Sequence, residues 1–169
     1  MATKFQYLVA LLLMVLVGAG CSSSVSRGAL VGQPAPRYTP FFMVEDEPLV
    51  LEHLRGKTVV VMFWATTCAK SQTSIEEFNR YVQRYGAAKG LVGVAVSIDK
   101  QDDYERVTRR IRAAQLESIR HSFSGNDIYD QAKIAFDVDV LPSFFVISPE
   151  GTIIAAGTDF EVVTRALGA

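Results

Sequence analysis

One short stretch concentrates residues able to do chemistry: Cys68-Ala69-Lys70-Ser71, joined to the apolar run Thr58 to Trp64 by Ala65-Thr66-Thr67. A β-rich run that passes into helical periodicity puts Cys68 at the N-terminus of a helix. Unpaired N–H groups and the positive end of the helix dipole favour a thiolate there, so the thiol is expected to ionise below the roughly 8.5 of free cysteine. Lys70 pushes the same way if its ammonium lies close, and the Ser71 hydroxyl can donate a hydrogen bond to the sulfur. The position suits a nucleophile. The competing reading is a buried structural thiol. The other cysteine, Cys21, stands in a quite different context, which argues against an internal disulfide. His53 and His121 have no second histidine or cysteine at ligand spacing and read as surface or hydrogen-bonded residues, so no metal is expected. Nothing in the pattern calls for a cofactor.

The elements that must position Cys68 form an alternating α/β pattern from Gly32 onward, in which helices cover the faces of a sheet. Thr58 to Trp64 reads as a buried strand. Ser71 to Tyr85 reads as a helix with Ile75, Phe78, Val82 and Tyr85 on its apolar face and Glu76, Glu77, Arg80 and Arg84 toward solvent. Leu91 to Ile98 is a second buried strand. Asp102 to Ala114 sets Tyr104, Val107, Ile111 and Ala114 on one helical stripe, and its charged residues from Tyr104 to Arg112 read as a solvated face. A third unit begins near Ile119. Asp127 to Phe136 reads as a short helix, Ser143 to Ile147 and Thr152 to Ala156 as a hairpin around Pro149-Glu150-Gly151, and Asp159 to Leu167 as a closing helix.

With 169 residues, 49% of them hydrophobic, the chain has room for one core with appendages. A net charge of −1 leaves no footprint for a phosphate backbone, so no nucleic acid partner is expected. Lys4 precedes the apolar run Phe5 to Gly20, which is short for a spanning helix and closes on small residues, as a signal peptide over residues 1–20 does. Val17-Gly18-Ala19-Gly20-Cys21 resembles the lipobox of bacterial lipoproteins, with Gly18 where that family usually has leucine. The resemblance implies lipidation of Cys21 and a membrane anchor; the alternative is an ordinary secretory signal or an uncleaved anchor. Residues 21–31 are expected to be the lipidated N-terminus and a flexible tether, and residues 32–169 the folded domain. Export places the domain in the bacterial cell envelope, facing the periplasm. By resemblance to sorted lipoproteins, Ser22 after the cysteine favours the outer membrane.

Several segments, in order, resemble the thioredoxin superfamily, in particular the TlpA and ResA-like branch of thiol-disulfide oxidoreductases and related redoxins. These are Gly32-Gln33-Pro34-Ala35-Pro36 with Phe41-Phe42, then Leu54-Arg55-Gly56-Lys57, then Phe63-Trp64-Ala65-Thr66, and finally Phe136 to Phe144 around Leu141-Pro142-Ser143. The resemblance implies a thioredoxin-like α/β fold with a central mixed sheet flanked by helices. It further implies a cis Leu141–Pro142 bond beside the reactive sulfur and a substrate groove formed by Trp64, Thr67, Leu141 and Pro142.

The chain departs from that family where the chemistry sits. The family's Cys-x-x-Cys is here Cys68-Ala69-Lys70-Ser71, its usual tryptophan before the cysteine is Thr67, and the buried acid of thioredoxin itself is Met62. A dithiol enzyme releases its mixed disulfide with the second thiol, a step serine cannot perform. Three outcomes stay open. One is a monothiol cycle through Cys68, tuned by Lys70 and Ser71 and resolved by glutathione or another small thiol, with envelope thiol or disulfide proteins as partners. Another is an antioxidant, peroxidase-type cycle through a sulfenic acid, disfavoured by Ala65 and Val61 where peroxiredoxins have threonine and proline. The last is a binding module without turnover.

Overall fold

The computed structural model describes residues 30–168. The expected leader and the lipidation site at Cys21 lie outside the described residues. Leu30 already packs against the core, two residues before the expected start of the domain.

Five strands form one sheet in the order β3-β2-β1-β4-β5: β1 Thr58–Trp64, β2 Leu91–Ser97, β3 Arg120–Phe123, β4 Ser143–Ile147 and β5 Ile153–Gly157. β1 pairs parallel with β2, and β2 with β3, whereas β4 runs antiparallel to both β1 and β5. β1 is apolar throughout because both its faces are covered. Val59, Val61 and Phe63 enter one core with Phe41, Phe136 and Phe145, while Val60, Met62 and Trp64 enter the other with Ile75, Phe78 and Phe144. The sheet is thus a partition between two apolar layers, as a thioredoxin-like α/β fold requires.

Helix α1, Ala69–Lys89, extends well beyond the predicted Ser71 to Tyr85 and stops at Gly90 in the left-handed conformation. Its inward residues Ile75 and Phe78 are fully buried, and burying each stabilises the fold by about 1.5–3 kcal/mol. The helix lies close to β2 because position 93 is glycine: a Cβ there would meet Ile119 Cγ2 at 2.6 Å and Phe78 Cζ at 2.9 Å. A 3-10 turn at Gln101–Asp103 leads into α2, Tyr104–Ala113. Of its predicted stripe, Val107 is fully buried and Ile111 and Ala114 pack partly on the same core, but Tyr104 stays 41% exposed and leans on Phe123, ring centroids 5.4 Å apart.

The single helix expected over Asp127 to Phe136 is broken in two. A 3-10 turn at Asp127–Tyr129 ends where Asp130 turns extended and accepts the N–H of Lys133 at 2.7 Å, which starts α3, Gln131–Ala135. A capping side chain competes with continued helix at this point. Helix α4, Glu161–Leu167, closes the chain, its end tied down by Tyr81 Oη donating to the Gly168 carbonyl at 2.6 Å.

Residues 32–44 run along the sheet's rims. Gly32 N donates to the Ile153 carbonyl at 2.8 Å and Ile153 N to the Gln33 carbonyl at 2.9 Å; farther on, Phe123 N donates to the Phe42 carbonyl at 2.7 Å and Val44 N to the His121 carbonyl at 2.9 Å.

His121 lies under this last contact. Its Nε2 is 2.8 Å from the Leu116 carbonyl, which can only accept, so Nε2 carries the proton, and the buried Nδ1 has no hydrogen-bond partner. Burial lowers the imidazole's pKa, outweighing the Leu116 hydrogen bond and the charge of Glu45, both of which raise it. A base with a lowered folded value binds fewer protons folded than unfolded. Stability therefore rises with pH across this window and is lost as pH falls below the unfolded value of about 6.5. The urea midpoint is expected to drop between about pH 7.5 and about pH 5.5, and His121→Gln to flatten that drop. An unchanged slope in the variant would rule out His121 as its source.

Candidate functional site

Cys68 is the N-cap of α1, with extended dihedrals of φ −94° and ψ 109° and no hydrogen bond from its side chain back to the helix. β1 delivers the chain to this point, and a tight turn, Cys68 N to the Ala65 carbonyl at 3.2 Å, reverses it into the helix. The thiol is half-buried and is the only free cysteine among the described residues. It donates to the Leu141 carbonyl across 3.8 Å, a long contact even for sulfur. The Leu141–Pro142 bond is cis, and Ser143 Oγ donates to the Val140 carbonyl at 2.6 Å, fixing the turn that carries it. Cys68, Leu141 and Pro142 thus meet at one place, although the chain between them runs through α1, β2, α2, β3 and α3. Thr67 is exposed on the same loop.

Two predicted neighbours behave otherwise. The Ser71 hydroxyl is completely buried and has no hydrogen-bond partner, so it does not reach the sulfur. It belongs to the inward face of the helix's first turn, while the thiol leans the other way toward Leu141. The Lys70 ammonium pairs with Asp159 at 2.6 Å, and this hydrogen bond is the main cause that lowers the Asp159 carboxyl below its usual range. Lys70 therefore bridges α1 to the start of α4. Trp64, expected in the substrate groove, is fully buried within the core under α1 and cannot touch a substrate. β1 is covered on both faces up to its last residue, and only the loop beyond it, at Thr67, comes to the surface.

Sequence reasoning missed a polar clamp on the loop before the thiol. Thr66 donates its N–H to both oxygens of Asp99, at 3.2 and 3.0 Å, and its hydroxyl to Asp99 Oδ1 at 2.5 Å. The same hydroxyl oxygen accepts Arg106 Nε at 2.7 Å, and the Thr66 carbonyl accepts Gln72 Nε2 at 2.9 Å. Gln72 in turn is held by Arg110, which also pairs with Glu76. Two of the four arginines of α2, Arg106 and Arg110, read from sequence as part of a solvated face, therefore reach back onto the loop before α1 and onto α1 itself. One signal for the clamp exists in the sequence: parallel strands place their C-terminal ends side by side, so the loop after β2, with Asp99, must adjoin the loop after β1, with Thr66. His53 is exposed, and among the described residues no cluster of three or more histidine, cysteine or acidic side chains is placed to hold a metal.

A family model described as thioredoxin-like matches residues 56–153. No curated protein matches the sequence. Among solved structures, a thiol-disulfide oxidoreductase from Bacteroides fragilis superposes with a TM-score of 0.70 at 23% identity, over 80% of this chain and 97% of that one. The thioredoxin domain of a thiol-disulfide oxidoreductase from Bacteroides vulgatus gives 0.66 at 18% identity, over 81% and 97%. A thiol:disulfide interchange protein from a Bacteroides species gives 0.66 at 19%, over 82% and 91%. At such identities these likenesses are ones of fold, but the family match runs from the lead into β1 to the start of β5 and takes in both the cysteine and the cis-proline. On that match, which covers more than half of its length, this chain belongs to the thioredoxin-like family.

Proposed function

We propose that the protein is a thiol-disulfide oxidoreductase with a monothiol cycle, exported and held to the membrane of a bacterial envelope through Cys21. The observation that carries the reading is the placement of Cys68: a thiol at a helix N-terminus, half-buried, against the carbonyl of a residue in a cis X-Pro bond. In the cycle the Cys68 thiolate attacks one sulfur of a substrate disulfide. The S–S bond breaks, the other sulfur leaves as a thiolate and takes a proton, and a mixed disulfide remains on Cys68. Ser71 cannot close a second disulfide, so an external thiol such as glutathione, having given its proton to solvent, attacks the substrate sulfur of the mixed disulfide, forms a new disulfide with it and releases Cys68 as thiolate. The exposed Thr67 and the Leu141–Pro142 turn flank the sulfur and would receive an extended substrate segment. The solved thiol-disulfide oxidoreductases of the same fold support this class of reaction, and the leader-like first twenty residues support the envelope location.

One observation favours a second reading, a binding module without turnover: neither Lys70 nor the Ser71 hydroxyl lies against the sulfur to tune it. Mass spectrometry after mixing with glutathione disulfide separates the two. The expected result is one glutathione adduct at Cys68 that excess reduced glutathione removes over repeated cycles, and none in Cys68→Ala. A Cys68 that stays unmodified in the folded protein would leave the binding module as the reading.

A further inference from the structure

We infer that Asp99 is a positioning residue for the Cys68 sulfur, acting through Thr66; its significance for activity rests on the exchange reading above, while its geometry does not. The Asp99 side chain is 2% exposed, and it takes three donors from the loop before the thiol and the end of β2: the Thr66 N–H, the Thr66 hydroxyl and the Ser97 hydroxyl, the last at 2.7 Å. Only a carboxylate accepts at both oxygens from so many donors, since an amide presents an N–H₂ group at one of the two positions. Arg106 supplies the balancing charge, its Nη2 3.5 Å from Asp99 and 2.9 Å from Asp103. A buried charge without a partner is costly, so the arrangement holds as a unit.

The clamp grips Thr66 by its N–H, its hydroxyl and its carbonyl, and the thiol follows only two residues later. With Met62 in the strand, none of the core residues of β1 is an acid. Asp99 instead enters from the loop that follows the neighbouring parallel strand β2. No hydrogen bond connects it to the sulfur, so its part is to hold the backbone that aims Sγ at Leu141 and across the open end of α1, not to move the sulfur's proton.

The test compares Asp99→Asn, Thr66→Val and Thr66→Ser. The readout is the iodoacetamide labelling rate at the Cys68 peptide on the alkaline plateau, where every variant's thiol is ionised and only access and aim differ. Asp99→Asn and Thr66→Val are expected to label at least about tenfold more slowly, since a misplacement near 1 Å can cost up to about 10² in rate. Thr66→Ser, which keeps the hydroxyl and the N–H, should stay within about twofold of the unchanged protein. In the unchanged protein the Thr66 amide should resist hydrogen exchange, and in Asp99→Asn it should lose that protection. Plateau rates in folded Asp99→Asn and Thr66→Val that equal the unchanged protein's overturn the inference, as does a freely exchanging Thr66 amide in the unchanged protein. Should Asp99→Asn fail to fold, the Thr66 pair decides alone, because a rate lost in Val and kept in Ser requires the hydroxyl. A protein that labels in this pattern yet exchanges with no disulfide upholds the positioning role and removes the oxidoreductase reading.

Discussion

Ser71→Cys is expected to convert the protein from one that accumulates mixed disulfides into one that clears them internally, on the order of 10³-fold faster than millimolar external thiol does. The second thiol would sit three residues after the first on the opening turn of α1, held at an effective concentration no solution thiol reaches. The site is prepared for the change in one respect. The hydroxyl it replaces is buried without a hydrogen-bond partner, so exchanging oxygen for sulfur forfeits no hydrogen bond. After mixing with glutathione disulfide, the mass spectrum of the unchanged protein should show the adduct. That of Ser71→Cys should instead show a loss of two hydrogens, from a disulfide between Cys68 and the introduced thiol. An adduct as long-lived in the variant as in the parent would mean that position 71 is too deep or misdirected to attack. The serine would then be more than a deleted thiol.

Phe136→Ala is expected to cost about 3–5 kcal/mol, a large part of the roughly 5–15 kcal/mol that holds a domain together. The ring is fully buried and lies 4.8, 5.4 and 6.5 Å from the rings of Phe145, Phe63 and Phe41, joining β4, β1 and the N-terminal segment in one aromatic layer. It also ends α3 and begins the segment that runs to Leu141 and Pro142. Loss of the ring should therefore loosen the wall beside Cys68 as well as lower the urea midpoint. Phe136→Leu, which refills most of the cavity, should recover the greater part of both effects. A cost under about 1 kcal/mol for the alanine variant would show that the layer closes over the gap.

The parts of the fold legible in the sequence are those where local pattern and tertiary environment agree. β1 and β4 fall on the predicted residues because a strand buried on both faces has to be a continuous apolar run. Cys68 meets Leu141 and Pro142 as the family resemblance implied. Elsewhere the pattern gives way to side chains with more than one use. Asp130 looks like an ordinary residue inside a helical stretch but caps a new helix instead. Trp64 beside a reactive cysteine suggests a surface, yet β1 is covered on both faces and the ring lies in the core with the inward residues of α1. Arg106 and Arg110 look solvated in a helical wheel because the wheel omits the neighbouring loop and helix on which they close. Asp99 shows its role only once the loops after the parallel strands β1 and β2 are set side by side.

The path of residues 32–44 has a consequence for how this protein behaves among others. β3 and β5 are the two outer strands of the sheet, and their unsatisfied backbone groups are templates onto which a foreign strand could add. One continuous stretch of chain blunts both, with Gln33 against Ile153 at one side and Phe42 to Val44 against Phe123 and His121 at the other. The same stretch precedes the whole sheet in sequence. A chain shortened past Val44 would keep every strand and lose both guards, so self-association into fibres or swapped dimers, not loss of the thiol, is the failure such a truncation invites.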